Sequence, residues 1–225
     1  MKKIALTLIA LILFGGIIFI SACDKSDLNK PVITLVGDEI ITLDLGATWT
    51  DPGCTAIDTE DGTITTGFTI TGTVNTAQVN TYTITYTVTD KAGNVSDEVT
   101  RTVKVKSDLL IGTYNVHDVV TGVGAGTYDY TVTITQSSTD YNKLLINNFG
   151  GFGTAVTVNA NVLAAVITIP SQHPAGMPSG GEGTFTGTTG AYTVTPSLKS
   201  VTSINYSVAY DAGGTDNGSA TYTKQ

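Results

Sequence analysis

The sequence predicts an all-β protein of two tandem domains, a β-sandwich followed by an antiparallel meander. Three observations predict it. Charged residues make up only 13% of the chain, and threonine, valine, isoleucine and tyrosine fill the rest of the strand-favouring composition. No stretch beyond residue 23 holds a sustained 3.6-residue period. Alternation by two recurs instead. Residues 81–89 read TYTITYTVT, with Tyr82, Ile84, Tyr86 and Val88 on one face and threonines on the other. Residues 127–135 read TYDYTVTIT and residues 204–210 read INYSVAY, each again with one apolar face. Strands of this kind suit antiparallel sheets with one solvated side.

The first segment, 1–22, has the layout of a secretory signal peptide. Lys2 and Lys3 precede an uncharged apolar run from Ile4 to Ile20, and Ser21 and Ala22 supply small residues before Cys23. Ile20-Ser21-Ala22-Cys23 resembles the bacterial lipobox, which implies cleavage before Cys23 and a lipid on its thiol. Two or three acyl chains, at about 0.8 kcal/mol per buried methylene, anchor a protein firmly. Residues 23–30 then form a polar tether. Acidic residues close behind the cysteine, in Asp24-Lys25-Ser26-Asp27, resemble a surface-export signal of Bacteroidota. The expected location is the outer membrane, facing outward.

Residues 31–106 form the first domain. Strands are expected near 32–36, 39–45, 54–57, 68–74, 81–89 and 95–105, with turns at Asp51-Pro52-Gly53 and Asp61-Gly62. Asp90 to Asn94, holding Gly93, joins two alternating runs as a hairpin. About seven short strands over such a length suggest a sandwich. Two stretches, PVITLVGDEIITLDLGATWTDPGCTAIDTEDG and NTYTITYTVTDKAGNVSDEVTRTVKV, resemble the bacterial surface immunoglobulin-like domain first noted in a pesticidal crystal protein. Trp49 stands where tyrosine is usual and Cys54 where a small residue is usual. The resemblance implies a Greek-key sandwich that acts as an extracytoplasmic spacer without catalytic residues. Asp51, Asp58, Glu60, Asp61 and Asp90 all fall near turns, where aspartate bonds backbone amides, and no metal is expected from them. Trp49 is expected in packing, and Cys54 as a small buried side chain.

The polar junction Lys106-Ser107-Asp108 separates this domain from the second, 107–225. Nine strands are expected there, including separate ones near 182–188 and 191–196. Sequential strands with short turns close most simply as a small up-and-down barrel, with a second sandwich as the alternative. Gly112-Thr113-Tyr114 and NKLLINNFGGFG at 142–153 resemble lipocalin-like barrels at the C-terminus of Bacteroidota lipoproteins. Two loops stand out. Residues 147–153 carry Phe149 and Phe152, and residues 171–183 carry His173. A small barrel is filled by side chains, so a ligand would sit at its mouth. Phe149 and Phe152 could stack on a sugar ring there, with His173 bonding hydroxyls. The competing expectation is that both rings are core.

Composition and motifs exclude other classes. Without Lys2 and Lys3 the chain keeps nine basic against 19 acidic residues, which argues against nucleic acid as a partner. With Cys23 acylated, Cys54 has no partner for a disulfide. No Gly-x-Ser-x-Gly, phosphate-cradling loop or multi-histidine cluster is present, so no enzyme activity and no cofactor are expected. The function expected is a lipid-anchored surface protein whose spacer presents a barrel that captures a glycan or another small ligand. The membrane, through Cys23, is the first partner. A structural or adhesive module with an envelope-protein partner is the alternative, and a hidden hydrolase the third reading.

Overall fold

The computed structural model describes residues 27–179 and 181–225, so the signal segment and Cys23 lie outside the described residues. Among the described residues every regular element is a strand or a short 3₁₀ turn. Seven strands build the first unit: β1 (Val32–Leu35), β2 (Ile40–Leu43), β3 (Cys54–Asp58), β4 (Gly62–Ile64), β5 (Phe68–Thr71), β6 (Asn80–Val88) and β7 (Val99–Val105). They form two sheets, β1-β3-β4 and β2-β7-β6-β5. β2 runs parallel to β7, and the other pairings are antiparallel. The aspartates end strands as their chemistry directs. Asp51 Oδ1 accepts from the Gly53 amide at 3.1 Å, and Asp58 Oδ1 accepts from the Glu60 and Asp61 amides at 2.8 and 3.0 Å.

The inward face of β6 is the expected one. Ile84, Tyr86 and Val88 are buried with Ile33 and Ala56. On β7 one inward position is charged. Arg101 on β7 is fully buried, and its guanidinium donates to the carbonyls of Val36, Asp38 and Gly53 and to the Tyr86 hydroxyl.

Eight further strands form the second unit: β8 (Gly112–Gly122), β9 (Gly126–Gln136), β10 (Lys143–Asn147), β11 (Thr157–Leu163), β12 (Val166–Gln172), β13 (Gly183–Val194), β14 (Lys199–Tyr210) and β15 (Thr215–Lys224). Each pairs with its neighbour in sequence, and β15 pairs with β8, so the meander closes as a barrel. The barrel, rather than a second sandwich, is what the short connections produce. The two strands expected at 182–188 and 191–196 are one strand, β13. Its register slips between Thr186 and Thr189, and that bulge with Gly190 reads in sequence as a turn.

The barrel interior is dense. Tyr114, Val116, Val132, Ile134, Leu144, Ile146, Phe185 and Ile204 are among its buried side chains. The same apolar cluster continues into Leu45, Val79 and Val105 of the sandwich. At this seam the Ala164 amide donates to the Val79 carbonyl at 2.8 Å, and the Val79 amide donates to the Tyr192 hydroxyl at 3.0 Å. The Thr81 and Tyr141 hydroxyls meet at 2.6 Å. Tyr141 and Ala164 lie in connections at one end of the barrel, so the sandwich caps that end. The opposite end, carrying the connections 123–125, 148–156, 173–182 and 211–214, points away from it.

Candidate functional site

The uncapped end of the barrel holds a cavity of about 320 Å³. Four adjoining strands make its wall. β8 gives Val120, β9 gives Tyr128 and Tyr130, β14 gives Tyr206, Val208 and Tyr210, and β15 gives Asp216. The alternating runs read in the sequence thus converge: TYDYTVTIT and INYSVAY both turn their tyrosines to this mouth. The connection after β10 covers one side, bringing Gly150, Gly151 and Phe152. Asn148, Gly150 and Gly151 all have positive φ, which folds the loop tightly over the opening. The Asn148 side chain fixes the fold by donating to the Thr131 carbonyl at 2.8 Å and accepting from the Gly153 amide at 2.7 Å. A Cβ on Gly150 would lie 2.8 Å from the Phe152 ring, so the glycine lets that ring lie back across the loop.

The cavity is acidic and rich in hydroxyls. Among the described residues no lysine, arginine or histidine lines it. Asp216 Oδ2 accepts from the Tyr210 hydroxyl at 2.7 Å, and its Oδ1 accepts from the Gly124 amide at 2.7 Å. Asp118 lies beneath the wall, fully buried. Its Oδ2 accepts from the Tyr130 and Tyr206 hydroxyls at 2.9 and 2.6 Å. Among the described residues its Oδ1 is buried without a hydrogen-bond partner, and so is the Tyr222 hydroxyl. Burial, reinforced by the Asp118 charge, pushes the Tyr130 and Tyr206 hydroxyls well above the ordinary phenol range. Burial followed by the Asp216 bond does the same to Tyr210. These tyrosines therefore stay protonated and act as donors to the two carboxylates. The ring of Tyr206 lies over Gly218, where an added Cβ would clash with it.

The residues singled out in the sequence separate here. Phe152 lines the cavity and packs edge-on to Phe185 with centroids 5.4 Å apart. Phe149 lies deeper, fully buried, 4.9 Å from Tyr206 and 5.5 Å from Phe185 between ring centroids. His173 is at the same end of the barrel but outside the cavity lining. Its Nε2 lies 2.9 Å from Asp211 Oδ2 in the β14–β15 turn. The Asp211 hydrogen bond, then its charge, raises the His173 pKa. Of the turn carboxylates, Asp51 faces Arg101 at 3.5 Å, and Asp61 pairs with Lys91 at 3.0 Å. Asp58 and Glu60 come together with Asp27. Trp49 and Cys54 are half-buried. Burial, then the charge of Asp51, raises the Cys54 thiol pKa.

Sequence reasoning missed Asp118 and Asp216. The signal was present: Tyr114, Val116, Asp118 and Val120 share one alternating face, and a carboxylate on an apolar face is a buried carboxylate.

Residues 33–105 match the family model of the bacterial surface protein Ig-like domain. The first unit is thus an Ig-like sandwich of the bacterial surface type, followed by an eight-stranded antiparallel barrel. No curated protein matches the chain. Among solved structures the chain is similar to a lipoprotein from Bacteroides thetaiotaomicron. The identity is 20% and the TM-score 0.33, with 85% of this chain and 99% of that one covered.

Proposed function

We propose that the protein is a lipid-anchored bacterial surface protein whose Ig-like domain is a spacer and whose barrel mouth captures a small ligand. The observation that carries this reading is the aromatic, acidic cavity at the barrel end facing away from the sandwich. A spacer that caps the opposite end leaves the cavity directed outward from the anchor. Tyr128, Tyr130, Phe152, Tyr206 and Tyr210 offer ring faces, and Asp216 offers an acceptor. The absence of cations from the lining disfavours an anionic ligand and favours one bearing hydroxyl or ammonium donors. A glycan meets that description, and stacking with desolvated hydrogen bonds is the recognition chemistry it needs. The role is binding, with no catalytic step assigned.

Full-length protein in detergent, applied to a glycan array and to a panel of polyols and amines, tests this. A hit should weaken at least tenfold in Asp216→Asn and in Phe152→Ala. A hit indifferent to both would place the site elsewhere. Cross-linking of the mouth to an envelope protein, with no small-molecule hit, would favour the adhesive role. The anchor has its own test. Cys23→Ser should abolish labelling of cells by an alkyne fatty acid, and persisting label would overturn it.

A further inference from the structure

We propose that Asp27, Asp58 and Glu60 form a calcium site that clamps the tether onto the sandwich. The three come from two separate pieces of chain. Asp27 precedes β1, while Asp58 and Glu60 belong to the β3–β4 turn. One carboxylate oxygen from each lies within 4.8 Å of the others. Calcium–oxygen bonds of about 2.3–2.6 Å let a single ion span that separation.

The second observation is an oxygen without a partner. Asp58 is 3% exposed, and its Oδ1 is taken by the Glu60 and Asp61 amides. Its Oδ2 is buried and accepts no hydrogen bond among the described residues. The turn backbone claims Oδ1, which leaves Oδ2 as the Asp58 oxygen open to an ion. A buried carboxylate oxygen left bare is costly, and a cation removes that cost. Asp27 Oδ1 accepts from the Asn29 amide at 2.9 Å, and both Glu60 oxygens accept from the Asn29 side chain at 2.9 and 2.8 Å. Each of these oxygens keeps a second lone pair. Asn94 adds a third wall by donating to the Asp27 carbonyl at 3.2 Å and to Asp90 Oδ2 at 2.7 Å.

Charge points the same way. Among the described residues, Lys30 pairs with Asp97 and Lys91 with Asp61, and no ion pair reaches Asp27, Asp58 or Glu60. The donors are all oxygen, with neither histidine nor cysteine among them. That selects a hard cation, and an irregular set of carboxylates suits calcium better than magnesium, which demands a tight octahedron. Asp27 lies four residues after Cys23, so on the anchor reading the clamp would set how the sandwich stands on the membrane.

The test is calorimetry on full-length protein in detergent, stripped with EGTA and titrated with calcium chloride. One ion should bind per chain with a Kd of about 10⁻⁴–10⁻³ M, the range of extracellular modules, and the melting midpoint should rise. Asp58→Asn should weaken binding at least tenfold, while Asp97→Asn should leave it unchanged. If Asp58→Asn disturbs the turn, Glu60→Gln, whose residue accepts from the Asn29 side chain and from no turn amide, should still show the loss. No heat and no midpoint shift at 10-fold above that range would overturn the proposal. So would binding unchanged in Glu60→Gln, or magnesium binding as tightly as calcium. A failed ligand search at the barrel mouth would leave this site untouched.

Discussion

Replacing Arg101 by methionine should unfold the sandwich at markedly lower denaturant while leaving the barrel folded. Arg101 is fully buried, and its guanidinium donates at 2.8–3.2 Å to the carbonyls of Val36, Asp38 and Gly53 and to the Tyr86 hydroxyl. Asp51 lies 3.5 Å from Nε and also accepts from Tyr86 at 2.7 Å. In Arg101→Met the Gly53 carbonyl keeps the Val36 amide at 3.0 Å. The Val36 and Asp38 carbonyls lose the guanidinium, and the Asp51 carboxylate loses its counter-charge. Stripping a fully buried, hydrogen-bonded charge from its partners costs about 3–5 kcal/mol, a large share of the roughly 5–15 kcal/mol that holds a domain. With a urea slope of about 1–3 kcal/mol/M, the midpoint should fall by roughly 2 M. The only tryptophan is Trp49, in the sandwich, so its fluorescence reports this unit while far-UV circular dichroism follows both. Adding Asp51→Asn should recover part of the loss by removing the stranded charge. A midpoint shift under about 0.5 M in Arg101→Met would mean that the guanidinium is not what ties β1 and β2 to β7.

Other perturbations separate core from site. Phe149→Ala should cost about 3–5 kcal/mol of barrel stability in thermal melts, and the half-buried Phe152→Ala clearly less; equal losses would place both rings in the core. Gly218→Ala should displace the Tyr206 ring, at a cost of about 1–3 kcal/mol, and an unchanged melting midpoint would contradict the close approach. By NMR titration, His173 should titrate above the ordinary histidine value, and Asp211→Asn should bring it down. Since its pKa is raised on folding, the His173–Asp211 contact should favour the fold below about pH 6.5 and be lost as pH rises through the raised value, with a flat response refuting the pairing.

The strands were legible because their period is local. Thr-Tyr alternation in β6 and β9 names the inward face without reference to the partner strand. Barrel closure was legible only as the simplest outcome of sequential pairing, since the β15–β8 contact joins the chain ends of the domain. β13 misled because a bulge and a glycine imitate a turn. The seam between the units was not legible at all. Val79 and Leu45 sit in irregular segments, and nothing local tells an apolar loop residue which surface it will cover.

Arg101, Asp118 and Asp216 share one sequence signature, a charged residue on the apolar face of an alternating strand. Their surroundings give them different roles. Arg101 meets backbone carbonyls on three sides within the sandwich, so its donors are spent on holding loops together. Asp118 and Asp216 meet tyrosine hydroxyls, Asp216 also the Gly124 amide, and among the described residues no cation, at the barrel end that the sandwich leaves free. A buried charge whose partners are backbone is fixed by the fold. A buried charge whose partners are side chains of a cavity wall can exchange them for a ligand. That difference is invisible in the one-dimensional pattern, because it depends on which end of the barrel the spacer caps. It is also why the mouth, rather than the buried arginine of the sandwich, is the place to look for a captured organic ligand.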